Sequence, residues 1–195
     1  AGSNEFEITA VNGVGRASKP FVVSSSGPPL KNKPKSGTVS ATQVWAVVIG
    51  ISQYRKSGIS LKYADRDAQA FFAFLRSPEG GGLSADHISL LLNENATRES
   101  IIKTIGDKLN RAFEDDMVII YIACHGMPDP VGNEVYFLGY DAKPENLAGT
   151  AVSQIDIEKA LTRTRAKKKL LIADACHSGS VGLGMRGNYA YLTNK

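Results

Sequence analysis

Read only for hydrophobic and polar positions, the chain changes character near residue 43. From there on, short apolar runs alternate with segments of helical period. "VWAVVIGIS" (44–52) is nearly all apolar and rich in β-branched residues, the signature of a strand buried on both faces. Ala64, Ala68, Phe71, Phe72 and Leu75 recur at helical spacing, and Glu79-Gly80-Gly81-Gly82 breaks the chain after them. "ISLLLN" (88–93) predicts a second strand. Thr97 is the expected N-cap of a helix, with Glu99 in its first turn and Ile101, Ile102, Ile105, Leu109 and Phe113 along one face. "MVIIYIAC" (117–124) predicts a third buried strand, and "EVYFLGYD" (134–141) a further strand or hairpin arm. Ser153-Gln154-Ile155-Asp156 reads as a capping-box start to a helix running through Leu161. "KLLIADAC" (169–176) is the fourth buried strand. Strands alternating with helices predict an α/β fold: a mostly parallel sheet with helices on both faces. In such sheets, sites lie beyond the C-terminal ends of the strands.

Before residue 43 the pattern differs. Phe6, Ile8 and Ala10 alternate with polar neighbours, Asn12-Gly13 marks a turn, and Phe21-Val22-Val23 completes a hairpin. "ITAVNGVGRAS" resembles the last hairpin of a fibronectin type III domain. Residues 1–23 are therefore read as an arm packed on the main domain or a remnant of such a module. Residues 24–42, rich in Ser, Gly, Pro and Lys, are a linker. The main domain is expected over 43–195.

Composition narrows the classes. With 195 residues, 43% hydrophobic and 22% charged, the chain can bury one real core. The net charge of +4 is mild. Its two basic runs, Lys31–Lys35 and Arg163–Lys169, lack interleaved aromatics and read as a solvated linker and a solvated helix-to-strand corner. No nucleic-acid partner is expected. No membrane partner is expected either, because no stretch is long and apolar enough to span a bilayer. Ala1-Gly2-Ser3 resemble an added or internal start, so compartment is not legible; the cytoplasm is favoured.

The two cysteines cannot staple a scaffold, and each precedes a histidine: "ACHG" (123–126) and "ACHS" (175–178). Both pairs fall at strand ends. Nucleophilic catalysis is the simplest use for them, with a thiolate attacking and an imidazole moving the proton. Adjacent strand residues point to opposite faces, so a cross pair is needed. His125 with Cys176 ranks first. Cys124 with His177 is a distant second, because Cys124 reads as a small packed residue. Gly126 and the Cys176 amide are the candidate oxyanion donors. Zinc is disfavoured, since adjacent Cys-His pairs splay apart. Gly182-Leu183-Gly184-Met185-Arg186-Gly187 fits a dinucleotide fingerprint but lacks its strand and helix. His87 is expected to be a surface residue without a partner.

"YIACHG" and "LLIADACHSG" resemble the two signatures of the caspase-like cysteine peptidases: caspases, metacaspases and their prokaryotic relatives, the orthocaspases. "AVVIGISQY" and "LKYADRDAQAFFAFL" are similar to the family's opening strand and first helix. His125 and Cys176 lie 51 residues apart, against roughly 50 in caspases. That spacing is part of the resemblance. "Asp-x-Cys-His-Ser-Gly" is closer to metacaspases and prokaryotic relatives than to animal caspases. The resemblance covers roughly residues 44–182 and implies a caspase-like three-layer sandwich, here its large-subunit region, with polypeptide as substrate and a His125–Cys176 dyad. It further implies cleavage after Arg or Lys by way of Asp174 and Asp67. Two carboxylates would bind a basic side chain by charge-assisted hydrogen bonds.

Two departures stand out. The calcium-binding aspartates of many metacaspases are sparse here: Asp141, Glu145 and Asp156 stand apart. Calcium wants six or more oxygens, several of them anionic. Calcium independence is expected, with no metal and no other cofactor. The family fold also continues past the cysteine into a small-subunit region, whereas this chain ends at Lys195. A small-subunit fragment is thus an expected partner. Lys195 or Arg186 would suit self-cleavage after a basic residue, although a shortened chain would end in the same way. The competing readings are a caspase-fold scaffold without catalysis and a partner-activated effector of other specificity.

Overall fold

The structure, a computed structural model, describes residues 4–12, 15–23, 42–129, 134–175 and 189–194; over 4–12, 15–23 and 189–194 it gives the backbone pairing. Its strands are β1 (Asn4–Asn12), β2 (Gly15–Val23), β3 (Val44–Gly50), β4 (Ile88–Leu92), β5 (Met117–Cys124), β6 (Gly126–Pro128), β7 (Val135–Phe137), β8 (Val152–Ser153), β9 (Lys168–Ala175) and β10 (Tyr189–Asn194). Its helices are α1 (Ala64–Arg76), α2 (Arg98–Leu109), the short α3 (Leu147–Thr150) and α4 (Gln154–Arg163).

Seven strands form the main sheet in the order β2-β1-β10-β9-β5-β3-β4. The block from β10 to β4 is parallel. The β1–β2 hairpin extends it, with β1 antiparallel to β10. A second small sheet, β6-β7-β8, sits beyond the end of β5.

The apolar runs behave as their composition requires. From Ala46 to Gly50 and from Val118 to Cys124 every residue is buried, because both faces of these strands are covered. On one face, Val47, Ile49, Ile120, Ile122, Leu171 and Ala173 pack against Ile101, Ile105 and Leu109 of α2 and Ile157 and Leu161 of α4. On the other, Ala46, Val48, Ile119, Tyr121 and Ala123 pack against Ala68 and Leu75 of α1. Helix and strand meet closely at Gly50: a Cβ there would lie 2.4 Å from Ala68 Cβ and 2.6 Å from the Ala64 carbonyl oxygen.

The caps follow the sequence. The Thr97 side chain accepts from Ser100 N–H at the start of α2. Ser153 and Asp156 form a reciprocal capping box on α4. The expected apolar face of α2 narrows to Ile101, Ile105 and Leu109. Ile102 is exposed, and Phe113 lies past the helix end, 63% exposed, with the Arg165 guanidinium 4.4 Å from its ring centroid. "EVYFLGYD" is strand only over Val135–Phe137. His87, expected without a partner, packs on Trp45 with ring centroids 4.1 Å apart.

Candidate active site

Parallel pairing brings the ends of β5 and β9 together. Cys124 is in register with Ala175 and Ala123 with Asp174, so β5 and β9 end side by side. His125 directly follows one strand end. Cys176 directly follows the other in sequence but lies outside the described residues, as do His177, Arg186 and Lys195. Cys124 is 2% exposed, and its thiol donates to the His125 carbonyl at 3.3 Å. It is a packed core residue.

The backbone and ring of His125 are both held. Its N–H donates to the Tyr54 hydroxyl (2.9 Å), and the Tyr54 ring lies 5.3 Å away at 39°. Its Nε2 lies 2.7 Å from the Ile59 carbonyl oxygen. A carbonyl only accepts, so this contact puts the ring proton on Nε2 and leaves Nδ1 as the basic nitrogen. Ile59 and Tyr54 belong to the loop between β3 and α1. That loop closes on itself where Leu61 N–H donates to the Ser52 carbonyl (2.8 Å). A carbonyl on an apolar residue leaves no side-chain signal, so sequence reading missed Ile59.

Gly126 is buried and opens β6. Leu138 N–H donates to the His125 carbonyl (2.9 Å), which makes Gly126 and Phe137 a non-hydrogen-bonded antiparallel pair. The Gly126 N–H therefore points out of that ladder. An N–H so placed, next to the histidine, is geometrically able to meet an oxyanion.

The carboxylates converge on the α1 side of the sheet. Leu170 and Ile172 pack on the α1 core, and Asp174 continues their alternation at the strand end. Asp67 lies in the first turn of α1, next to the buried Ala68. The charge of Asp174 acts on Asp67. Partial burial, then the charge of Asp174, then that of Asp65, push the Asp67 carboxyl above the ordinary carboxylate range. Burial, then the charge of Asp174, then that of Asp67, push the Tyr121 phenol well above its usual value. The charge of Asp174 thus reaches both Tyr121, stacked under Phe71 at 4.7 Å, and Asp67. A carboxyl pushed up beside the charge of Asp174 marks a place that a cation would stabilise.

The acids considered for calcium are engaged within the chain. The Asp156 carboxylate accepts from Ser153 N–H and from the Arg98 guanidinium (3.3 Å), and Asp141 accepts from Arg98 N–H (3.0 Å). Glu145 pairs with Lys56 at 3.0 Å. Among the described residues there is no group of three or more His, Cys, Asp or Glu side chains arranged to hold a metal ion. Among them, too, no helix is long and apolar enough to cross a membrane.

Comparison with known proteins agrees with this architecture. A probable protease from a Desulfuromonadales bacterium is 28% identical over 152 residues, which are 70% of this chain and 18% of that protein. The chain therefore spans under a fifth of that relative's length. The crystal structure of protein GSU0716 from Geobacter sulfurreducens shares the fold at a TM-score of 0.55 and 17% identity, over 69% of this chain and 50% of that one. The Drosophila initiator caspase Dronc aligns with a TM-score of 0.45 and 13% identity, over 79% of this chain and 61% of its own. Residues 43–189 match the caspase domain family, Peptidase C14, and the chain belongs to that family.

Proposed function

We propose that this domain is a cysteine endopeptidase that cleaves polypeptides after Arg or Lys. In this reading Cys176 attacks the scissile carbonyl as thiolate. His125, protonated on Nε2 toward Ile59, takes the thiol proton on Nδ1 and returns it to the leaving amine. The Gly126 and Cys176 amides receive the oxyanion. The observation that supports this reading best is the Ile59–His125 contact, because it orients the ring with Nε2 toward a carbonyl and Nδ1 free to face the thiol where β5 and β9 end together.

Basic specificity draws support from the charge of Asp174 acting on Asp67. A guanidinium or ammonium placed between them would relieve their repulsion and gain charge-assisted hydrogen bonds; an acidic side chain would meet two like charges. The same preference makes Arg186 and Lys195 candidate points of self-processing, and a small-subunit fragment is the proposed partner of this region.

Calcium independence belongs to the same proposal, since Asp141, Glu145 and Asp156 already have partners within the chain. A peptidyl-arginine acyloxymethyl ketone tests the site directly. Mass spectrometry should find it bonded to Cys176; adduct formation elsewhere, or none, would overturn the assignment.

A further inference from the structure

Asn93 is the one non-glycine residue with positive φ among the described residues (φ 46°), in the turn that follows β4. Such a conformation is costly away from glycine, and it directs attention to what the side chain does. The Asn93 carboxamide oxygen accepts from two consecutive backbone N–H groups, Ser52 (2.9 Å) and Gln53 (3.0 Å). Its amide nitrogen donates to Asp65 Oδ2 (3.2 Å). Asp65 Oδ1 accepts from the Ser52 hydroxyl (2.7 Å), whose oxygen accepts in turn from Asp65 N–H (3.0 Å). Ser52 is 5% exposed, whereas the Gln53 bond lies in an exposed setting. The Ser52 hydroxyl and then the Asn93 amide are the bonds that lower the Asp65 carboxyl, against some burial.

This network holds both ends of the site. Ser52 supplies the carbonyl that closes the Ser52–Leu61 loop, and that loop carries Ile59 against His125. Asp65 fixes the first turn of α1, two residues before Asp67. We infer that Asn93 is a positioning residue for the proposed peptidase reaction: it clamps the loop that orients His125 and ties it to the turn that presents Asp67. The inference rests on the peptidase reading for its consequence in rate, but the clamp itself is testable without turnover.

Asn93→Gly removes the side chain while accepting the positive φ, so the backbone turn survives. Misplacement of a catalytic group by about 1 Å can cost on the order of a hundredfold. The expected result is a kcat loss of about that size at unchanged KM for a basic peptide. In Cys176→Ala protein, long-range ¹H–¹⁵N spectra should show the His125 Nε2–H tautomer, and adding Asn93→Gly should convert it to a mixture. The exchanged pair Asn93→Asp with Asp65→Asn restores the complementary acceptor and donor and should recover most of the rate. An unchanged tautomer with unchanged kcat in Asn93→Gly, or a loss confined to thermal stability, overturns the inference. If the wild type turns over no peptide, the peptidase reading fails, while the tautomer measurement still decides the clamp.

Discussion

The His125 imidazole Nε2 lies 2.7 Å from the carbonyl oxygen of Ile59, 66 residues earlier in the chain. Among the described residues, a main-chain carbonyl on a closed loop orients the ring. The orientation of the proposed base therefore depends on loop geometry, which makes several outcomes measurable.

Tyr54→Phe deletes the hydroxyl that accepts from His125 N–H while keeping the ring. The N–H is then left without that acceptor in a half-buried setting, at a cost of about 1–3 kcal/mol. Urea unfolding should show that loss, and kcat/KM should fall by roughly tenfold. Unchanged values in both would mean that this bond does not hold the histidine backbone.

Asp67→Asn should separate function from stability. Burial and Asp174 raise the Asp67 pKa above its unfolded value. The folded state then holds this proton more tightly than the unfolded state, and stability falls as pH rises through the raised pKa. Removing the charge should therefore raise Tm at neutral pH slightly, by about 1 °C. The same substitution should cut kcat/KM for Arg peptides by on the order of a hundredfold, since hydrogen bonds to charged groups are worth about 1.5–3 kcal/mol. In the wild type, kcat/KM for those peptides should decline as pH falls through the Asp67 titration and the pocket loses charge. A pH-independent profile on the acid side would separate Asp67 from substrate binding.

β3 and β5 were legible because parallel strands covered on both faces must be apolar throughout, as "MVIIYIAC" is; "KLLIADAC", expected as a fourth buried strand, is a strand whose buried residues are Leu171 and Ala173, the rest of β9 being partly covered or exposed. The capping box at Ser153 was legible because its chemistry is local. The contacts that orient His125 were not. Ile59 acts through its carbonyl, and any residue has one. Asn93 acts through a backbone conformation that spacing does not reveal. Phe113 was placed on the α2 face because the helical period runs on past Leu109, where the chain has already turned; Arg165 covers the ring instead. His87 was read as solitary because its partner, Trp45, is adjacent only in the fold.

Gly50→Ala should destabilise the domain by crowding the first turn of α1, which carries Asp65 and Asp67. The added methyl would lie 2.4 Å from Ala68 Cβ and against the Ala64 carbonyl, at a helix–strand contact with no flexible side chain to yield. Overpacking of this kind costs about 1–3 kcal/mol. Thermal unfolding checks it, and an unchanged Tm would mean that α1 can shift away from β3.

Calcium should leave turnover unchanged. Arg98 already bonds to Asp156 and to the Ala151 carbonyl oxygen (2.8 Å), linking α2 to the start of α4. Arg98→Ala should lower stability by about 1 kcal/mol, because the pair is only partly shielded from solvent. Assays in millimolar calcium and in excess chelator should give one rate. A strict calcium requirement would contradict the account of these acids.

The central claim is Cys176-dependent cleavage after a basic residue. Its most direct test is kcat/KM on matched fluorogenic peptides ending in Arg, Lys or Asp, measured for the wild type and Cys176→Ala. The account predicts turnover of the Arg and Lys peptides by the wild type alone, and none of the Asp peptide. Cleavage after Asp alone, or turnover that survives Cys176→Ala, would contradict it.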